Sequence, residues 1–151
     1  MDFSALRKGE IAAAIGGIIL VIAIFLPAYS PSDNRNATVA GGRVDASIWD
    51  TNTISRVLLL LAAIAPIVLL YIVLRQHELS WPRGELTAVI GLTAVTLLFW
   101  NGVIQRPGEP SGQIGLAIGW FLAFLGALAI AVGGAVRASE SERRRKPPGV
   151  L

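Results

Sequence analysis

Two side chains stand out as places where chemistry could begin: Glu10, at the start of an apolar run, and His77, the only histidine. A carboxylate inside a membrane is the usual mark of proton-coupled transport. Glu10 directly follows Arg7, Lys8 and Gly9, however, where an acid in a helix's first turn also serves to stabilise the helix dipole. His77 lies in a charged loop, and a metal site needs several ligands converging on one point. With no cysteine, disulfides, thiol redox chemistry, iron–sulfur clusters and cysteine–zinc sites are all removed. The apolar blocks contain no Ser/His, Asp/Asp or metal-ligand pair, and the lack of an intramembrane histidine argues against haem. These residues predict a protein that is not an enzyme, with no catalytic, cofactor-binding or metal site.

The elements that would position such residues are written in blocks. Hydrophobic residues make up 54% of the 151-residue chain and charged residues 15%, with a mean hydropathy of +0.63. The apolar residues concentrate at 11–29, 57–74, 86–104 and 114–136. Each block, as a helix, is about 27 to 35 Å long, matching a hydrocarbon core of about 30 Å. None contains Asp, Glu, Lys, Arg or His, any of which would cost roughly 2.5–3.5 kcal/mol at a helix centre. The second block holds 13 Leu, Ile and Val residues and is the strongest, while Thr87, Thr93, Thr96 and Asn101 dilute the third. The expected fold is all-α: a four-helix transmembrane bundle over 1–137 with a small extracytoplasmic β-hairpin in the outer loop 30–53, then a basic cytoplasmic tail over 138–151.

Basic residues orient the bundle. Nine of the 13 Lys and Arg residues (Arg7, Lys8, Arg75, Arg83, Arg137, Arg143, Arg144, Arg145 and Lys146) fall on the side of the termini, against Arg35, Arg43, Arg56 and Arg106 on the other. The positive-inside rule then makes both termini cytoplasmic. Tyr29, Trp49 and Trp100 mark the outer interface, and Tyr71 and Trp81 the inner one. The first block resembles a signal peptide only loosely, because its apolar run is too long and Pro31 would follow the cut. A pI near 10 invites a nucleic-acid reading, but the basic residues only border the apolar blocks and form no face with interleaved aromatics.

Gly112, Gly119, Gly126 and Gly133 recur every seven residues, and Gly115 adds a GxxxG step with Gly119. Such a stripe predicts close helix packing, with Ala12, Ala13, Gly16 and Gly17 of the first block as the mate. The seam is expected within the chain, with a dimer interface between two copies as the alternative. Pro66 predicts a bend in the second helix. Thr87, Gly91, Ala94 and Asn101 share one face of the third, where polar groups are expected to bond across helices. In the outer loop, Thr38-Val39-Ala40 and Arg43-Val44-Asp45 read as two short strands around a Gly41-Gly42 turn. Ser47-Ile48-Trp49-Asp50 reads as a capped helix start. Val39, Val44, Ile48 and Trp49 are then the expected partner surface, and Arg143, Arg144, Arg145 and Lys146 a lipid-headgroup contact.

Ile24-Phe25-Leu26-Pro27-Ala28-Tyr29, followed by an outer loop with Ser47-Ile48-Trp49 and a leucine-rich second helix, resembles small uncharacterised four-span membrane proteins of actinobacteria and related high-GC bacteria. The resemblance implies a bacterial plasma-membrane protein and no particular activity. The topology is also claudin-like, without that family's Trp and Cys signature. The expected function is a non-enzymatic accessory or scaffold protein. It would bind the lipid bilayer and a membrane-protein partner or larger complex, and no nucleic acid. The alternative is a small multidrug-type transporter acting as a dimer, with Glu10 as its intramembrane charge.

Overall fold

The computed structural model describes residues 7–75 and 82–145, the side chains of 142–145 excepted. His77, Trp81 and Lys146 lie outside the described residues, as do the side chains of Arg143, Arg144 and Arg145. Helix α1 (Lys8–Phe25) is followed by strand β1 (Pro27–Pro31). The loop that follows leads to β2 (Ala46–Ser47) and a single-turn helix, α2 (Ile48–Thr51). Helix α3 (Thr53–Leu74) returns across the bundle, and α4 (Arg83–Phe99) crosses it again. A π-helical turn (Trp100–Ile104) and a 3-10 turn (Ser111–Gln113) lead to β3 (Ile114–Leu116) and then α5 (Ile118–Arg145). Among the described residues, four helical segments are long and apolar enough to cross a membrane: α1, α3, α4 with its π turn, and most of α5.

Proline sets where the first helix stops. Pro27 disfavours helical geometry in the residue before it, and Leu26 is extended at φ −82°, ψ 154°. The apolar run therefore continues past Phe25 as a strand. Pro27 tolerates that role because it opens the strand and need not donate to the ladder. β1 is the centre of an antiparallel sheet of order β2-β1-β3. Tyr29 pairs with Leu116 and Pro31 with Ile114, so residues expected to begin the fourth span instead form the sheet's edge. This sheet caps the end of the bundle opposite the chain termini.

The expected hairpin is corrected by the structure. Val39 and Gly42 exchange both backbone hydrogen bonds (2.8 and 2.9 Å) around Ala40 and Gly41, which have φ of 51° and 80°. The tight turn therefore sits one residue earlier than Gly41-Gly42, in the mirror-image geometry that two-residue hairpin loops favour. It does not continue into two strands. Thr38 instead exchanges bonds with Glu109 in the second connection (2.9 and 3.0 Å). Asn34 Nδ2 donates to Gln113 Oε1 at 2.6 Å, so the two connections on this side are stitched into one cap.

Helix α5 is the hub. It packs closely on α1 and α4, α1 also packs on α3, and α3 barely touches α4 or α5. The glycines explain the close seams. A Cβ on Gly16 would lie 2.6 Å from the Gly126 carbonyl oxygen, and one on Gly133 would lie 2.5 Å from that of Gly9. Gly119 faces the Leu26 and Pro27 carbonyls, which closes the same seam at the cap. Gly84 and Gly91 of α4 sit against Ala138 and Ala131, and Gly134 against Ala88. Two members of the predicted stripe are not in the helix. Gly112 is in the 3-10 turn with nothing near its Cβ position, and Gly115 is in β3 facing Ser30. Ala12, an expected mate, is exposed, while Gly17 faces Ala63 and Pro66 of α3.

Candidate functional site

Among the described residues, α3 and α4 border the recesses of ligand size. Because α3 and α4 splay, a cleft of about 740 Å³ opens between them. Its walls include Leu58, Leu61 and Val68 on α3 and Leu86, Val89 and Leu97 on α4; small Ala62 and Ala94 are buried at its base. Only 28% of the apolar window of α3, and of α4, is buried within the protein, against 44% for α1 and α5. The cleft is therefore a property of those two helices rather than of the whole bundle.

At the cap end the cleft becomes polar. Leu97 also lines a mouth of about 700 Å³ bounded by Asn52, Ser55, Trp100, Asn101, Gln105, Arg106 and Glu109. Ser55 and Asn101 stand about one helical turn beyond Leu58 and Leu97 on the same faces. Asn101 Nδ2 donates to Ser55 Oγ at 2.9 Å and joins α3 to α4 there. Asn52 is spent on capping α3, accepting from the Ile54 and Ser55 N–H groups at 3.0 and 3.2 Å. The Arg106 guanidinium donates to the Gly102 and Ile114 carbonyls, so its charge is held against the backbone.

The π turn shapes this mouth. Gln105 N–H donates to the Trp100 carbonyl at 2.8 Å, one residue further back than an α-helix allows. On the opposite face, the Trp120 indole N–H donates to the Leu98 carbonyl at 3.1 Å, and the ring lies against Gly102, where a Cβ would meet it. A side chain inserted into the helix ladder is a common cause of such widening. The turn leaves Trp100 exposed at the rim of the mouth.

At the other end of the bundle the ionisable groups are engaged with one another. Arg137 Nε donates to Glu10 Oε1 at 2.9 Å, and the Arg7 backbone N–H donates to Glu10 Oε2 at 3.1 Å. Arg7 pairs with Glu140 at 3.1 Å. Glu10 and Arg83 both border a recess of about 20 Å³, room for a single water molecule.

The residues expected to form a partner surface differ in exposure. Val39 and Ile48 are 1% and 2% exposed and lie in the core beneath the cap, whereas Val44 is 71% exposed. Trp49 packs at a tilt against Phe25 (centroids 5.1 Å apart, planes 35° apart) with the Arg56 guanidinium 5.0 Å over its ring, so it closes the end of α1. The Ser47–Asp50 capping box is present: Asp50 Oδ2 accepts from the Ser47 N–H at 3.2 Å and hydroxyl at 2.6 Å. Those two bonds, with help from Arg56, hold the Asp50 carboxyl below its usual range. Burial pushes the Tyr29 phenol upward, keeping it neutral in the sheet.

Of the polar face expected on α4, Asn101 does bond across to another helix, but Thr87 donates to the Arg83 carbonyl of its own helix at 2.8 Å. Thr93 and Thr96 back-bond in the same way, which satisfies a hydroxyl without a partner helix. Among the described residues, no three His, Cys, Asp or Glu side chains converge as a metal site would require. Among the described residues, geometry and composition give a helical bundle with four helices long and apolar enough to cross a membrane, and an amphipathic cleft between α3 and α4. No protein-family model, curated protein or solved structure matches the chain, so the cleft is read from its own chemistry.

Proposed function

We propose that this chain is a non-enzymatic accessory or scaffold protein of a bacterial plasma membrane, with both termini cytoplasmic, and that it binds another membrane or envelope component in the α3–α4 cleft. The observation that carries this reading is the cleft itself: an apolar recess within the span that opens into a polar mouth at one end. Volumes of this size fall within the usual range for ligand sites, about 300–1,000 Å³. The basic residues gathered on the side of the termini support the orientation. A dimeric multidrug-type transporter would need an ionisable group available inside the membrane. Glu10 is a poor candidate for that role, because both its oxygens are engaged, one by Arg137 and the other by the Arg7 backbone.

The test is site-specific photocrosslinking in native membranes. A photoreactive residue at Val89, on the cleft wall, should give one dominant adduct, whereas the same residue at Ile18, on the outward face of α1, should give the diffuse labelling of bulk lipid. Identical labelling from both positions would mean that the cleft holds nothing in particular.

A further inference from the structure

The two halves of the cleft differ in chemistry, and that difference describes what fits. We infer that the cleft binds a single lipid, with one apolar chain between α3 and α4 and an uncharged, hydroxyl-rich headgroup in the mouth at the cap end. The inference rests on the reading of the cleft as a binding site and adds the chemistry of its occupant.

The apolar half runs along α4 from Arg83 to Leu97, about 21 Å at 1.5 Å per residue. One leaflet of a hydrocarbon core of about 30 Å is roughly 15 Å deep, so the recess is long enough to hold a lipid chain. A transmembrane helix from a protein partner would instead want small residues along the contact, so that backbones could approach. Nine of the fourteen lining residues are Leu, Ile or Val against four small ones (Ala62, Ala65, Thr93 and Ala94), and the glycines of α4 are already used against α5.

The mouth selects the headgroup. It contains one cation, Arg106, and one anion, Glu109, so it presents no net charge to attract a phosphate. The Arg106 guanidinium is held on two backbone carbonyls. Asn101, Gln105 and Ser111 supply neutral donors and acceptors, and amides offer both. Trp100 stands exposed at the rim, an apolar ring face with a polar edge. Such a ring can cover the C–H face of a sugar while the amides bond its hydroxyls. Arg83, the one charge on the apolar half, lies at the far end of the cleft.

The experiment uses the full chain in phosphatidylcholine nanodiscs doped with either monoglucosyl-diacylglycerol or phosphatidylglycerol, with bound lipid read by native mass spectrometry after release. The glucosyl lipid should be retained at least about tenfold over phosphatidylglycerol. Gln105→Leu, on the exposed rim, and Asn101→Leu should each reduce that preference several-fold. Ala94→Trp should abolish retention by filling the base of the cleft, and Leu125→Ala, on an exposed face of α5 away from the cleft, should leave it unchanged. Circular dichroism melts identify any variant that fails to fold, and Gln105→Leu then carries the test. Equal or greater retention of phosphatidylglycerol, or loss of retention through Leu125→Ala alone, overturns the inference. If neither lipid is retained while Val89 still crosslinks to one protein, the occupant is wrong but the cleft reading survives. If Val89 gives only bulk-lipid labelling as well, both fail.

Discussion

Glu10 shows how one side chain can carry two readings until its partners are known. Its position after Arg7 and Lys8 fits both a transport carboxylate and a helix-start acid, and the deciding fact is Arg137, 127 residues away. Both members of the pair are mostly buried, with side chains 13% and 20% exposed. Charge-assisted hydrogen bonds at such sites contribute about 1.5–3 kcal/mol. Glu10→Gln should therefore lower the unfolding free energy by about 1–3 kcal/mol in a detergent thermal-shift series, without altering photocrosslinking from Val89. A variant of unchanged stability that lost an efflux phenotype would instead favour the transporter. Asp50 makes a smaller, pH-dependent contribution. Its folded pKa is depressed, first by its hydrogen bonds to Ser47, so its stabilisation is present above the unfolded value of about 3.9 and fades as pH falls through the folded value. The group is solvent-exposed, so the effect is screened to roughly 0.5 kcal/mol. The stability gap between wild type and Asp50→Asn should be constant near neutral pH and close below about pH 4.

At the scale of the element, glycine spacing identified a packed face but not where the helix began. Gly126 lies on the seam between α1 and α5: a Cβ there would sit 2.8 Å from the Gly16 carbonyl oxygen and 2.9 Å from the Leu20 nitrogen. Both neighbours are backbone and have little room to give. Gly126→Leu should cost about 1–3 kcal/mol or more by overpacking, while Leu125→Ala, on an exposed face, should cost far less. Equal melting temperatures for the two variants would place the seam elsewhere. Four apolar helices were legible because each block is charge-free and long enough to span. The strands were not, because β1 and β3 are made of the same apolar residues as the helices they border. The punctuation was present in Pro27 and Pro31, which bracket β1. The π turn had no local signature, since Trp120, which bonds the Leu98 carbonyl beside it, comes from another helix.

At the scale of the whole molecule, the cleft was invisible for a related reason. Helix α3 is apolar on nearly every face, so periodicity cannot say which face meets protein and which is left open. The cap poses the opposite problem: its residues read as a local hairpin, yet their partners come from the second connection. Val39 illustrates the consequence. It is buried, its neighbour Thr38 pairs with Glu109, and a Cβ on Gly108 (φ 116°) would lie 2.5 Å from the Thr38 carbonyl oxygen. Gly108 and Glu109 in turn wall the polar mouth. The first loop thus positions the mouth without lining it through Thr38 or Val39. Val39→Ala removes two methyl groups from a packed site and should cost about 2 kcal/mol. The glucosyl lipid should then be retained several-fold less, although residue 39 touches no lipid. Val44→Ala, in the same loop but exposed, should change neither stability nor retention. The measurement is a melt and a lipid-retention assay on the same samples. If Val39→Ala melts earlier yet holds the lipid as wild type does, the cap is a separate lid on the bundle, and the mouth is shaped by α3 and α4 alone.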